Sequence, residues 1–359
     1  ELFSGTGHLT RDRQIAVQLG DGSEQVLTGD SIVLAAGSQS KTLSGFEIDG
    51  TTILASDDVL AMAELPTSAA VIGGGAIGCE FASMLADLGT EVTILEAADR
   101  LIPGADADIA KALQRSFKKR GIKSLTGVTA NGHAPQSEGT IVKLNDGAEL
   151  AVEKVIVCVG RRPYTDHLQL AETPVKVDEE GFVQVDEFCR TSLDGVYAVG
   201  DLIATPQLAH VGFAEAMLVV SDIVGEPRDP INYSKVPWSI YCHPEIAYAG
   251  LSEEQAKAAG YEISVAQHRF VGNARALIHN ETEGMVKLVA ERQKNGKAGK
   301  LLGVHLIGPW ATEQLGQGYL AVNRDIEVNE IAEFIQPHPT LSELFGEAAL
   351  ELAGRTLHG

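Results

Sequence analysis

The stretch VIGGGAIGCE (71–80) constrains this chain more than any other. It continues the short apolar run AAVI and leads into AIGCEFASMLADLG, whose apolar residues recur three and four apart until Gly89. Gly73-x-Gly75-x-x-Gly78 therefore reads as a glycine turn between a buried strand and a helix. In such a turn the first glycine permits the tight bend and the second lets the backbone approach a pyrophosphate. The third lets the helix pack closely on the strand. The helix N-terminus offers free N–H groups and the positive end of its dipole to a diphosphate. The next strand, EVTILEA, delivers Glu96 about twenty residues on, where an acid bonds the hydroxyls of an adenosine ribose. A carboxylate there opposes a 2′-phosphate, which favours NAD over NADP. The structural alternative is a glycine-rich packing turn with no ligand.

Around this unit the pattern is mixed α/β. Residues 14–35 read as a hairpin, QIAVQL and SIVLAAG joined across GDGSEQ. DADIAKALQRSFKKRG is an amphipathic helix whose terminal Lys118, Lys119 and Arg120 suit the negative end of its dipole. GTIVKLNDGAELAVEKVIVCVG adds strands and completes a nucleotide domain at 56–162. GFVQVDEFCRTSLDGVYAVGD (181–201) reads as strands that deliver Gly200 and Asp201 at a carboxyl end, a usual ligand position in α/β sheets. HVGFAEAMLVVSDIVG is a helix, and Pro227 and Pro230 bracket a linker. SIYCHPEIAYAGLSEEQAKAAG is a strand followed by a helix with a Ser252–Gln255 capping box. Strands GMVKLVAE and KLLGVHLIG and further helices complete a separate α+β domain at 234–359.

A net charge of −21 argues against binding nucleic acid, which takes a basic face. No apolar run is long enough to span a bilayer, and no signal peptide is visible at the first residues. Cys79, Cys158, Cys189 and Cys242 are scattered, so zinc is not expected and no metal site is assigned. Sparse cysteines point to a reducing cytoplasm. Near the C-terminus, QPHPTLSE places Glu343 five residues after His338, a possible acid–base pair with no nucleophile or metal ligand beside it.

Taken in order, these segments resemble the flavoprotein disulfide reductases (class I pyridine nucleotide-disulfide oxidoreductases), and most closely the dihydrolipoamide dehydrogenases. SIVLAAGS resembles that family's ATG segment, and VIGGGAIGCEFA…VTILEAADRLIPGAD its NAD domain. CVGRRP and TSLDGVYAVGDL…PQLAHVGFAEA resemble the end of the NAD domain and the second FAD segment. VPWSIYCHPEIAYAGLSEEQA and QPHPTLSE resemble its dimerisation domain. The resemblance implies Rossmann-like FAD- and NAD(P)-binding domains plus a C-terminal α+β dimerisation domain. Residues 1–55 would be a remnant of the FAD domain and 163–233 its central segment. It implies a homodimer that oxidises protein-bound dihydrolipoamide through a redox disulfide and FAD, reducing NAD. The partner would be the lipoyl-bearing acyltransferase of a 2-oxo acid dehydrogenase or glycine cleavage complex.

Residue by residue, it implies that Asp201 holds the FAD ribityl chain. Leu208, Ala209 and His210 would line the flavin, with Ala36, Gly37 and Gly7 near its other parts. Gly73, Gly74, Gly75, Ala76, Ile77, Gly78, Glu96, Val128, Gly160 and Arg161 would hold cofactor on the NAD side, and Glu80 would sit near the nicotinamide–flavin contact. His338 would take the proton from a substrate thiol, because the thiolate is the attacking species, and Glu343 would orient its imidazole. In the resembling enzymes this histidine faces the flavin and disulfide of the other subunit. Two family features, an N-terminal FAD fingerprint and a C-x-x-x-x-C disulfide, have no counterpart in the sequence, and Ala36 stands for the usual Thr. The chain therefore reads as a fragment, expected to bind FAD poorly and to be inactive alone. The rivals are another flavoprotein disulfide reductase or NAD(P)H oxidase, and a catalytically dead NAD-binding fragment.

Overall fold

The computed structural model describes residues 1–226 and 228–358; Pro227, one bracket of the expected linker, lies outside them. The chain forms two compact units, one of Glu1–Lys41 with Gly160–Tyr233 and one of Thr42–Val159 with Ser234–Gly359.

The second unit contains a five-stranded parallel sheet. Its order is Ile53–Leu54, Lys154–Val157, Ser68–Ile72, Glu91–Glu96, Lys123–Thr126. Ala69, Ala70, Val71 and Ile72 are all buried, as a strand covered on both faces should be. Helix Ala76–Asp87 follows directly, and helix Ala107–Lys119 packs Ile109, Ala110, Leu113 and Phe117 into the same core. An antiparallel three-stranded sheet, Ala130–Pro135, Thr140–Leu144 and Glu149–Val152, closes the other face through Val142, Leu144 and Val152.

Residues 234–358 build a five-stranded antiparallel sheet in the order Pro237–Ile240, Glu245–Gly250, Ala298–Gly308, Met285–Arg292, Ile263–Arg269. Helices Ala311–Asn323 and Glu343–Leu352 cover one face of it. The expected single strand around SIYCHPEIAYAG is two strands, paired antiparallel across the turn at 241–244. Ser252 caps helix Glu253–Ala258 in a reciprocal box with Gln255.

In the first unit the hairpin differs from the expected one. Ile15–Leu19 pairs with Glu24–Leu27, and the turn closes at Gly22, whose φ of +84° favours glycine. Ile32–Leu34 instead pairs parallel with Val196–Ala198, so that Ile32 and Leu34 bury against that wholly buried strand. Of the strands expected over 181–201, only Val196–Ala198 forms. Upstream, the Asp186 carboxylate accepts the N–H groups of Phe188 and Arg190, which replaces a ladder by a local turn. Helix Ala209–Val224 begins eight residues after Asp201 and completes this unit's core with Leu218 and Val219.

Candidate functional site

The glycine turn divides its glycines by purpose. A Cβ on Gly73, at φ +105°, would lie 2.3 Å from the Cys158 carbonyl oxygen. On Gly74 it would lie 2.5 Å from Leu101 Cδ2, and on Gly78 1.9 Å from the Gly73 oxygen. Those three are dictated by packing. Gly75 is different: a Cβ there meets nothing within 4 Å, and its residue begins helix Ala76–Asp87 with no side-chain cap. An open cradle at an uncapped helix N-terminus fits a dinucleotide pyrophosphate beside Ala76 and Ile77.

Glu96 completes the turn. Its Oε2 accepts from Gly74 N at 2.5 Å and its Oε1 from Ala98 N at 2.7 Å. Val128 N donates to the Glu96 carbonyl at 3.0 Å, which sets the next loop against the same strand end. Glu80 lies one helical turn into Ala76–Asp87. Its half-buried carboxyl is pushed up by burial and accepts from Tyr241 N at 2.8 Å. Gly160 and Arg161 fall in the other unit, so the structure does not count them with the glycine turn's own unit.

In the first unit Asp201 sits in a small polar network. The Ser38 hydroxyl donates to its carboxylate, and Arg161 donates to Ser38 Oγ at 2.6 Å and to Ser38 O at 2.8 Å. Gly37, at φ +75°, accepts Tyr164 N at 2.9 Å, and half-buried Ala36 packs on this unit's core. Leu208 begins helix Ala209–Val224, while Ala209 and His210 are exposed on its first turn. Neither Ala209 nor His210 is packed in the core. Gly7 lies on the three-stranded sheet opposite Val17. Gln207 Nε2 is buried with no partner among the described residues, a donor that fits a bound polar ligand.

Two residues here escape sequence reasoning. One is Ser38. The other is Glu215, fully buried, whose carboxylate accepts from Gly200 N at 2.6 Å, Thr205 Oγ1 at 2.8 Å and Tyr233 OH at 3.0 Å. It fixes the Gly200–Asp201 turn. The one available signal was an acid set among the apolar residues of HVGFAEAMLVV.

His338 and Glu343 meet directly. His338 Nδ1 lies 2.8 Å from Glu343 Oε1, and Glu343 Oε2 accepts from Thr340 N at 2.8 Å. Glu343 is buried and opens helix Glu343–Leu352, where a carboxylate suits the dipole. Where Nδ1 donates to that carboxylate, Nε2 is the nitrogen left to accept. The His338 side chain is 62% exposed. Cys79, Cys158, Cys189 and Cys242 are all free thiols, and burial pushes Cys158, Cys189 and Cys242 up to about 12. They are poor nucleophiles. Among the described residues no group of three or more His, Cys, Asp or Glu could hold a metal ion.

A profile of the family described as pyridine nucleotide-disulphide oxidoreductase matches residues 4–216, and one for that family's dimerisation domain matches residues 236–349. A dihydrolipoyl dehydrogenase of Bacillus subtilis is 38% identical over 350 residues, which are 96% of this chain and 73% of that protein. A dihydrolipoamide dehydrogenase of Chaetomium thermophilum is 37% identical over 367 residues, 100% of this chain and 71% of that one. Among solved structures, LpdA of Mycobacterium tuberculosis matches with a TM-score of 0.88 at 28% identity, covering 98% of this chain and 76% of its own. The HOCl-induced flavoprotein disulfide reductase RclA of Escherichia coli matches with a TM-score of 0.88 at 25% identity, covering 96% and 78%.

Proposed function

The chain belongs to the pyridine nucleotide-disulphide oxidoreductase family, and from that premise we propose that it serves the dihydrolipoyl dehydrogenase reaction. A dihydrolipoyl dithiol becomes a disulfide, NAD gains two electrons and one proton as hydride, and the second proton leaves. The observation that carries this reading is the 2.8 Å contact between exposed His338 and buried Glu343. An exposed imidazole backed by a buried carboxyl group is suited to take a thiol proton.

Bound FAD would supply the two-electron relay between thiol chemistry and NAD. The chain's own residues do the rest. Gly75 and the first turn of Ala76–Asp87 hold the pyrophosphate, and Glu96 holds the adenosine ribose. Asp201, kept in place by Ser38, Arg161 and the Glu215-bound turn, holds the polar part of the flavin. His338 Nε2 accepts the proton from the attacking thiol, and Glu343 keeps the imidazole oriented and stabilises its charge. The exchangeable disulfide that the reaction requires is not formed by these 359 residues, whose four cysteines are free.

The family's dimerisation domain supports a homodimer. The lipoyl group would be presented by the acyltransferase of a 2-oxo acid dehydrogenase or glycine cleavage complex, in a reducing cytoplasm. No described helix is long and apolar enough to cross a membrane.

The test is an assay of the gene product that carries this chain. Dihydrolipoamide should reduce NAD, and His338→Gln should cut thiol oxidation by on the order of 10²–10⁴ while leaving NADH binding intact. A wild-type protein that ignores dihydrolipoamide but turns over another dithiol or disulfide would place it elsewhere in the family.

A further inference from the structure

We propose that Lys287 and Asp106 are positioning residues for the dinucleotide, acting on the glycine turn through the loop 97–106. The proposal rests on the reading that Gly73–Gly78 holds NAD. Lys287 lies on strand Met285–Arg292 of the antiparallel sheet and is 1% exposed. Its ammonium donates to Asp106 Oδ1 at 2.8 Å, Asp108 Oδ2 at 2.7 Å and Glu253 Oε2 at 2.9 Å. Asp106, also 1% exposed, caps two helices at once. Its Oδ1 accepts Asp108 N at 3.0 Å at the start of Ala107–Lys119, and its Oδ2 accepts Glu253 N at 3.1 Å at the start of Glu253–Ala258. One carboxylate therefore joins the nucleotide-type fold to the C-terminal sheet, with a buried ammonium as its counter-charge.

The loop that ends at Asp106 begins at Glu96, and it supports the glycine turn throughout. Ala98 N is bonded to the Glu96 carboxylate, and Ile102 N donates to Gly74 O at 2.7 Å. Leu101 is fully buried against Gly74, and Ala105 N donates to Ile102 O at 2.9 Å. A second tie runs from Arg100, bidentate to Glu254 at 3.1 and 2.8 Å. Gly74 and the ribose-binding acid are thus braced from the C-terminal sheet as well as by their own strands.

Buried ion pairs can often be replaced by well-packed apolar residues at no loss of stability. What the ions provide that apolar packing does not is a fixed direction for the Asp106 carboxylate, and through it a fixed loop.

The test is NADH titration of the purified chain by nicotinamide fluorescence, with ADP-ribose as competitor and the unfolding midpoint measured alongside. Lys287→Met, Arg100→Gln and Glu254→Gln should each weaken NADH by roughly 2- to 30-fold, the span for residues along a coupling network. ADP-ribose, which lacks the nicotinamide, should lose the same factor. The double variant Arg100→Gln/Glu254→Gln should be no worse than either single one, because the two act as a pair. Native NADH affinity in folded Lys287→Met and Arg100→Gln overturns the proposal. If Lys287→Met does not fold, native affinity in both Arg100→Gln and Glu254→Gln overturns it. An unmodified chain that binds neither NADH nor ADP-ribose overturns the nucleotide reading itself, and the proposal with it.

Discussion

Two backbone N–H groups, from Gly74 and Ala98, hold the Glu96 carboxylate, so its negative charge is fixed beside the glycine turn. A 2′-phosphate brought there meets a like charge, which costs roughly a few kcal/mol. NADH should therefore bind about 10- to 100-fold more tightly than NADPH. Glu96→Ala should weaken NADH and narrow that gap, and equal titration curves for both nucleotides on the unmodified chain would contradict the assignment. His305 makes a second residue-scale prediction, this one about pH. It is 1% exposed, its Nε2 donates to Leu251 O at 3.0 Å, and its Nδ1 has no partner among the described residues. Burial pushes its pKa below the ordinary value, and the nearby Lys287 charge adds to this, while Asp106 and the Leu251 bond oppose it. The unfolded chain thus takes up the proton first as pH falls. The stabilisation is complete above about pH 6.5 and is lost below it, by up to about 1.4 kcal/mol per pH unit. The urea midpoint should drop between pH 7.5 and 5.5, and His305→Phe should flatten that drop. An unchanged slope in the variant would remove His305 as the cause.

Each glycine of the turn makes a different demand on the strand–helix junction. Gly78→Ala would drive a methyl to 1.9 Å from the Gly73 oxygen, so the helix must shift, at about 1–3 kcal/mol or more. Gly75→Ala meets no protein atom, so the fold should keep its melting temperature. Its methyl fills the cradle, and NADH should weaken by on the order of tenfold. A Gly75→Ala chain that binds NADH normally would show that the pyrophosphate lies elsewhere. This junction was legible in the sequence because its signals are local: a short apolar run, glycines at fixed offsets, a helical period and an acid at the next strand end. Elements that depend on distant partners were not legible. Ile32–Leu34 pairs with Val196–Ala198, some 160 residues on, so a local turn signal assigned it to the wrong hairpin. Strand Ile263–Arg269 buries only Ala266 fully, so its alternation was too weak to read. Nothing local in GMVKLVAE marks Lys287 as buried; it is buried because one sheet face packs on helices Ala311–Asn323 and Glu343–Leu352 and the other on helix Ala107–Lys119. The His338–Glu343 contact needed only the five-residue spacing, whereas Ser38 and Glu215 act through folding that no motif announces.

At the scale of the whole molecule, the part of the chain from 234 onward carries apolar surface that a single copy leaves exposed. Trp310 is 59% exposed, Phe334 64% and Ile335 96%, and all three line a groove of about 1090 Å³ with Pro337 and Pro339. Large exposed apolar side chains gathered on one face mark an interaction surface. The matched dimerisation domain, residues 236–349, includes all of them and supports a second copy as the occupant. A two-fold interface uses the same patch on both subunits, so each side chain there counts twice. His338 follows Ile335 by three residues and sits on the same loop, so pairing would bring its exposed imidazole to the interface. Ile335→Glu places two charges into that contact and leaves the glycine turn, with Gly75 and Glu96, unchanged. Light scattering should report twice the chain mass for the unmodified protein and the single-chain mass for the variant. In the gene product carrying this chain, dihydrolipoamide oxidation should fall with the loss of the dimer, while NADH affinity stays within about twofold, because Gly75 and Glu96 lie within one chain. A variant that stays dimeric would move the interface away from this groove. A monomer with full thiol activity would show that His338 works within its own chain.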